Sequence, residues 1–64
     1  MTKRERDNWI VNIESIVSTI NHQLDSAVVD SVLARYGVRS VWELNSSELS
    51  EVFSELYAIE ADLR

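Results

Sequence analysis

The fold of this chain depends on one stretch near its middle, Tyr36-Gly37-Val38-Arg39-Ser40-Val41-Trp42-Glu43-Leu44. The stretch contains the only glycine of the sequence, and glycine suits the left-handed backbone position that ends many helices. The apolar residue that follows such a glycine commonly packs back on the last helical turn, and Val38 stands there. We therefore predict that Gly37 is a structural hinge between two different helical parts of the chain.

Upstream of this stretch, the sequence predicts two amphipathic helices. Thr2 and Glu5 have the spacing of a capping box, which predicts a first helix over residues 3 to 23. Asp25 and Ser26 both favour helix N-caps, which predicts a break and a second helix over residues 26 to 36. Apolar residues recur at spacings of three and four in both segments. They are Trp9, Ile13, Ile16, Val17, Ile20 and Leu24, followed by Val28, Val29, Val32, Leu33 and Tyr36.

Downstream, the sequence predicts one short turn and one long helix. Ser40 and Glu43 form a second capping-box pattern, which predicts a single helical turn at residues 41 to 44. Asn45 and Glu48 form a third, which predicts a final helix over residues 46 to 62. Strand-type alternation is absent from the sequence. The predicted fold is all-α, a single domain of residues 1 to 64 in a compact three-helix arrangement with a short helical turn between helices 2 and 3.

The apolar faces predict which side chains form the core. They also contain one acidic residue that does not fit the apolar pattern. The predicted core consists of Ile13, Ile16, Ile20, Val29, Val32, Leu33, Leu44, Val52, Phe53 and Leu56. Glu60 falls inside the apolar arc of the last helix on a helical wheel. Either this carboxylate emerges beyond the core near the chain end, or it meets Arg35, Arg39 or Arg6, because a buried unpaired carboxylate is costly.

The small size of the chain predicts self-association. Burial in a 64-residue chain is worth about 95 kcal/mol of apolar transfer free energy, and ordering the chain costs about the same. The sequence has no cysteine for a disulfide framework, and with a single histidine a structural zinc site is not expected. Oligomerisation is the remaining common source of stability, and we expect a homo-oligomer, most simply a dimer.

The distribution of charge disfavours phosphate-rich partners. Residues 1 to 42 balance five cations against five anions, whereas residues 43 to 64 carry six anions and one cation, so the final helix supplies the whole net charge of -5. Binding to nucleic acid depends on cations that displace counterions from phosphates, so nucleic acid is not an expected ligand. Apolar runs are too short for a signal peptide or a membrane span, and we expect a cytoplasmic protein with no membrane association.

Two resemblances rest on the central stretch and its neighbours. The carrying residues are Val32, Leu33, Tyr36-Gly37-Val38, Ser40-Val41, Glu43-Leu44, Leu49, Phe53 and Leu56. Over residues 28 to 60 the chain resembles small, mostly uncharacterised helical proteins encoded on phages and conjugative elements of Gram-positive gut bacteria, which implies an all-helical fold and no catalytic residues. The phrase from Gly37 to Leu44 is also similar to the second half of helix-hairpin-helix DNA-binding modules. This chain departs from that pattern because it lacks the glycine-rich hairpin and continues into an acidic helix.

The sequence contains no convincing catalytic, cofactor or metal site. His22 lies one helical turn from Ser18, but side chains stacked along one helix point outward in parallel and do not converge on a substrate. The acidic face of the last helix, formed by Glu48, Glu51, Glu55 and Asp62, offers too few oxygens to surround a hard cation. We therefore predict a non-enzymatic protein that uses no cofactor and has a solvated acidic face.

Five residues are candidates for contact with a partner: Trp42, Arg39, Arg35, Val11 and Ile10. Trp42 is rotated about 100° from Val41, so a short turn cannot direct both side chains inward, and we expect Trp42 to be exposed. An exposed tryptophan near arginines has the composition of a binding hot spot. In the alternative interpretation Trp42 lies as a lid over Val38 or Tyr57. The predicted function is a protein-interaction module, either an adaptor or self-associating; the alternative is a DNA-associated accessory protein of a mobile genetic element.

Overall fold

Three α-helices and one short 3-10 turn follow one another in the computed structural model, which describes residues 1 to 63. Helix α1 spans Lys3–Gln23, α2 spans Ala27–Arg35, the 3-10 turn spans Val41–Glu43, and α3 spans Ser46–Asp62. No strand occurs in the described part of the chain. The predicted all-α, three-helix fold is confirmed; α2 is shorter than predicted by one residue at each end, and the turn is shorter by one residue at its end.

Side chains of the N-terminal half cap both helices close to the predicted positions. The Thr2 hydroxyl oxygen accepts a hydrogen bond from the Glu5 amide at 3.2 Å and starts α1. At the next break the carboxylate of Asp25, rather than the side chain of Ser26, satisfies the start of α2, because it accepts from the Ala27 amide at 3.1 Å. The helical hairpin between α1 and α2 therefore follows from local capping chemistry.

Gly37 ends α2 in the predicted left-handed conformation, with φ of +73°. Its amide donates to the carbonyl of Ala34 at 3.0 Å, and the amide of Val38 donates to the carbonyl of Leu33 at 3.3 Å. This pair of bonds is the Schellman motif, which satisfies carbonyls that the end of a helix would otherwise leave open. Val38 packs against the core, so its predicted position is confirmed.

The predicted capping box at Ser40 is wrong, whereas the one at Asn45 is formed. The side chain of Ser40 makes no capping bond, and the Glu43 carboxylate instead accepts from the Arg39 amide at 2.8 Å. The extended backbone of Ser40 brings the amide before it within reach of Glu43. At the start of α3 the Glu48 carboxylate accepts from the Asn45 amide at 3.0 Å, which is the return bond of a capping box.

The core lies between α1 and α3, with α2 and the turn closing one side. Every predicted core residue is buried except Phe53, which is half-buried, so that prediction is wrong. Phe53 lies at the edge of the α1–α3 contact, where its ring meets Trp9 edge-on at 5.5 Å and stacks on Tyr57 at 5.9 Å. The sequence reasoning also missed three buried side chains, those of Ile10, Val41 and Leu49.

The accessible surface of the folded chain is 4274 Å². A monomeric protein of 7.4 kDa is expected to expose about 4,200 Å², so the folded chain is as compact as an ordinary monomer. Any association must therefore come from particular surface features rather than from a general excess of exposed area.

Replacement of Gly37 by valine should lower the free energy of unfolding by at least about 1 to 2 kcal/mol, because a branched residue resists positive φ. An added Cβ would meet nothing within 4 Å, so the loss would come from backbone strain and not from a clash. Urea denaturation measures the effect, with Gly37→Asn as the matched control because asparagine tolerates this conformation better. Equal midpoints for the valine variant and the wild type would contradict the role of Gly37.

Truncation of Leu56 should destabilise the protein more than truncation of Phe53. Leu56 is completely buried, and Leu56→Ala should cost about 2 to 5 kcal/mol because it leaves a cavity in the core. Phe53→Ala removes a half-buried ring and should cost about 2 kcal/mol. Chemical denaturation of both variants decides the order, and a larger loss for Phe53→Ala would contradict the core described above.

Candidate interaction surface

The segment of residues 36 to 44, called the joint below, is fixed to α1 by the side chain of Arg6. The guanidinium of Arg6 donates to the carbonyl of Trp42 at 2.9 Å and to the hydroxyl of Ser46 at 3.4 Å. One side chain therefore connects the first turns of α1 with both the joint and the start of α3. A charged donor on a backbone carbonyl makes a stronger bond than a neutral one, so the backbone at Trp42 is firmly positioned.

Trp42 is 57% exposed on this fixed backbone. The half-buried apolar side chains that pack against the core do not include it. Among residues 1 to 63, the observed ring contacts join Trp9 to Phe53 and Phe53 to Tyr57, and neither involves Trp42. This exposure disagrees with the interpretation of Trp42 as a lid and places its side chain where a partner could contact it.

Arg39 lies beside two adjoining open depressions of about 180 and 320 Å³, called the Arg39 groove below. Both depressions share Asp30, Leu33 and Arg39. The floor is apolar, and the rim is polar or charged. The floor consists of Val17, Val29, Leu33, Val38 and Val41, and the rim of Glu14, Asn21, Asp30, Ala34, Arg39 and Ser40. The groove therefore lies between α1, α2 and the joint, and no described residue of α3 lines it.

The two charged residues shared by these depressions carry no internal ion pair. Arg39 and Asp30 are exposed, and the one salt bridge within residues 1 to 63 joins two other residues. The backbone amide of Arg39 donates to Glu43. This bond does not use the guanidinium of Arg39, which stays available for other contacts. The groove therefore presents an apolar floor flanked by one open cation, Arg39, and by the carboxylates of Asp30 and Glu14.

Arg35 is directed toward α3, unlike Arg39. Its guanidinium forms a salt bridge with the Glu55 carboxylate at 3.0 Å. Both side chains are substantially exposed, at 61% and 36%, so solvent screening makes the pair a small contributor to stability. Its main effect is geometric, because it joins the end of α2 to the middle of α3. Arg35 is therefore already engaged within the fold.

Tyr36 lies in the same contact between α2 and α3. Partial burial raises the pKa of the Tyr36 hydroxyl, and the negative charges of Glu55 and Glu51 raise it further. A hydrogen bond to Glu55 adds to the increase in pKa, while the cation of Arg35 opposes it. Glu55 thus contacts both residues at the end of α2, and the acidic face of α3 is not simply solvated as predicted. Glu48 is also used internally, as the cap of α3.

The structure does not bring the other two candidates to the joint. Ile10 is completely buried, so its assignment as an interaction residue is wrong. Helix α1 contacts α3, α2 and the turn, and Ile10 is part of the buried core that these elements share. Val11 is 62% exposed, but it is rotated about 140° from Arg6 around α1 and therefore faces away from the joint.

The described residues contain no further constellation that indicates chemistry. His22 is exposed near the end of α1. Within residues 1 to 63 no group of three or more histidine, cysteine or acidic side chains is arranged to hold a metal ion. None of the described helices has the length and apolarity needed to cross a membrane.

The structure leaves Trp42 and Arg39 exposed, whereas nothing in the sequence indicated the contact made by Arg6 or the Arg39 groove. The contact of Arg6 is with a backbone carbonyl some 36 residues away, and a carbonyl carries no signal in the sequence. Comparison of the chain with protein-family models, with curated proteins and with solved structures gives no match.

The raised pKa of Tyr36 predicts a loss of stability at alkaline pH. A tyrosine whose pKa is higher in the folded state than in the unfolded state stabilises the fold below its unfolded pKa of about 10. That contribution is lost as the pH rises through the folded pKa.

Absorbance titration of tyrosinate in a Tyr57→Phe background isolates Tyr36, and Glu55→Gln should lower the pKa of Tyr36. Asp62→Asn is the control, since it removes a charge of the same face that does not act on Tyr36; equal titration curves for Glu55→Gln and Asp62→Asn would contradict the assignment.

Proposed function

We propose that this chain is a small, non-enzymatic protein-interaction module that associates with a second copy of itself and uses the joint as its contact surface. The observation that supports this most directly is the 57% exposure of Trp42 on a backbone held by Arg6. Tryptophan and arginine are the residues most enriched in binding hot spots, and Arg39 stands three residues from Trp42.

The rigidity of the joint adds to this support. An exposed aromatic side chain on an ordered backbone loses less conformational entropy on binding than one on a mobile loop. The Schellman bonds of Gly37 and Val38 hold one end of the joint, and the bond from Arg6 holds the other. The surface is therefore pre-organised for contact.

The use of cations favours an interaction module over a DNA-associated accessory protein. Arg6 and Arg35, two of the six basic residues, are engaged within the fold. The remaining described cations lie at the start of α1 and at the joint, whereas a nucleic-acid footprint gathers its cations on one face. The acidic α3 directly follows the joint, which would repel phosphates.

Replacement of Trp42 by alanine should weaken self-association more than about tenfold, since truncation of a hot spot costs about 2 kcal/mol or more. The thermal midpoint should change little, because the side chain is largely outside the core. Mass by light scattering across a concentration series measures the effect, and Val11→Ala is the matched control at an exposed apolar site facing away from the joint.

Three outcomes would contradict the proposal. A monomeric wild-type chain at high concentration would exclude self-association. Unchanged association in Trp42→Ala would remove the joint from the contact surface. Retention of DNA in a low-salt mobility-shift assay, in the absence of any protein complex, would favour the DNA-associated alternative.

A further inference from the structure

We infer that the Arg39 groove is the seam of a two-fold homodimer, in which Arg39 of each copy faces Asp30 of the other. This inference rests on the proposed function and deepens it, because it names the surface, the occupant and the pairing of charges. The occupant is a second copy of this chain and not an unrelated protein.

Arg39 and Asp30 make the groove complementary to a second copy of itself in charge. In a two-fold interface, if residue i of one copy contacts residue j of the other, then j also contacts i. Arg39 on the joint and Asp30 on α2 line both parts of the groove, and neither is engaged in an ion pair within residues 1 to 63. With a two-fold axis through the shared floor at Leu33, Arg39 of each copy would pair with Asp30 of the other copy. The dimer would then contain two such ion pairs. A partner surface with charge of only one sign would attract one of these two residues and repel the other.

All residues that line the groove lie between positions 14 and 41, in the part of the chain where cations and anions balance. The excess negative charge begins at Glu43 and belongs mainly to α3, which contributes no described residue to the groove. Two copies can therefore meet at this side without placing their acidic helices in contact.

A stable interface buries about 800 Å² on each partner, which is close to a fifth of the 4274 Å² that one copy exposes. A patch of that size centred on the groove must extend over the neighbouring part of the joint. Val41 lines the groove, and the exposed Trp42 is the next residue. Trp42 itself does not line the groove, so the proposed interface has the groove at its centre and Trp42 in its outer part.

The decisive experiment exchanges the charges crosswise. Asp30→Lys and Arg39→Glu should each weaken homodimerisation at least tenfold, because each places like charges opposite one another at two symmetric positions. An equimolar mixture of the two single variants should form a heterodimer at close to wild-type affinity, since both contacts are then between opposite charges. The double variant should also dimerise. An ion pair within one copy could not produce recovery on mixing.

Mass by sedimentation or light scattering provides the readout, and circular dichroism checks that helical content is retained. Arg4→Glu and Glu51→Lys are matched controls, because they make the same charge changes at exposed positions outside the groove. Both controls should dimerise like the wild type, and a mixture of the two controls should not dimerise more tightly than either control alone. Ala34→Arg adds a steric test at the exposed rim and should also weaken the dimer at least tenfold.

The outcomes separate this inference from the proposed function. Dimerisation of the wild type that persists in both single variants, or a mixture no tighter than either variant alone, would overturn the seam while leaving self-association intact. A wild-type chain that is monomeric at all concentrations would overturn both. Addition of salt should reduce the advantage of the mixed heterodimer, because the crosswise pairs are screened.

Discussion

The left-handed backbone of Gly37 is the constraint on which the rest of the structure depends. Its φ of +73° reverses the chain after α2 and lets the amides of Gly37 and Val38 bond to carbonyls of the last helical turn. A residue with a Cβ is strained in that conformation, so the position strongly favours glycine. The reversal returns Val38 to the core and lets Val41 and Leu44 point inward, so that α3 starts beside α1. One residue without a side chain therefore determines where the final helix packs.

Arg6 provides the second fixed point of the joint, and the combination explains how a surface can be both exposed and ordered. A short turn with several large apolar residues cannot bury all of them, and here Val41 and Leu44 are buried while Trp42 is left outside. The backbone carbonyl of Trp42 is nevertheless occupied by a charged donor from another helix. The side chain is thus available for contact while its backbone is restrained. The same guanidinium reaches Ser46, so the presentation of Trp42 is coupled to the start of α3.

The sequence predicted the parts of the fold that local chemistry decides and failed where tertiary geometry decides. The ends of the three α-helices followed from capping residues, although the capping box predicted at Ser40 does not form, and the left-handed glycine followed from its place after an apolar stripe. Ile10 was misplaced because α1 packs against neighbours on two sides, which widens its buried arc beyond the stripe visible on a helical wheel. Phe53 was misplaced for the opposite reason, since it lies at the edge of the α1–α3 contact. Trp42 and Arg39 are exposed, which the sequence prediction of contact residues requires, but the Arg39 groove joins segments distant in sequence, and no local pattern encodes it.

The excess negative charge lies in the last part of the chain, and in the fold it lies mainly on α3, which contributes no described residue to the Arg39 groove. Glu55 binds both Arg35 and Tyr36, so the acidic helix is attached to the end of α2 on one side of the molecule. The groove, whose lining carries one cation and two anions, lies between α1, α2 and the joint. Repulsion between exposed charges decays over about 8 Å at physiological salt, whereas even the shortest dimension of one copy is 15 Å. Acidic helices on the outer sides of two copies that meet at their grooves would therefore repel one another only weakly, so a net charge of -5 does not oppose pairing through this surface.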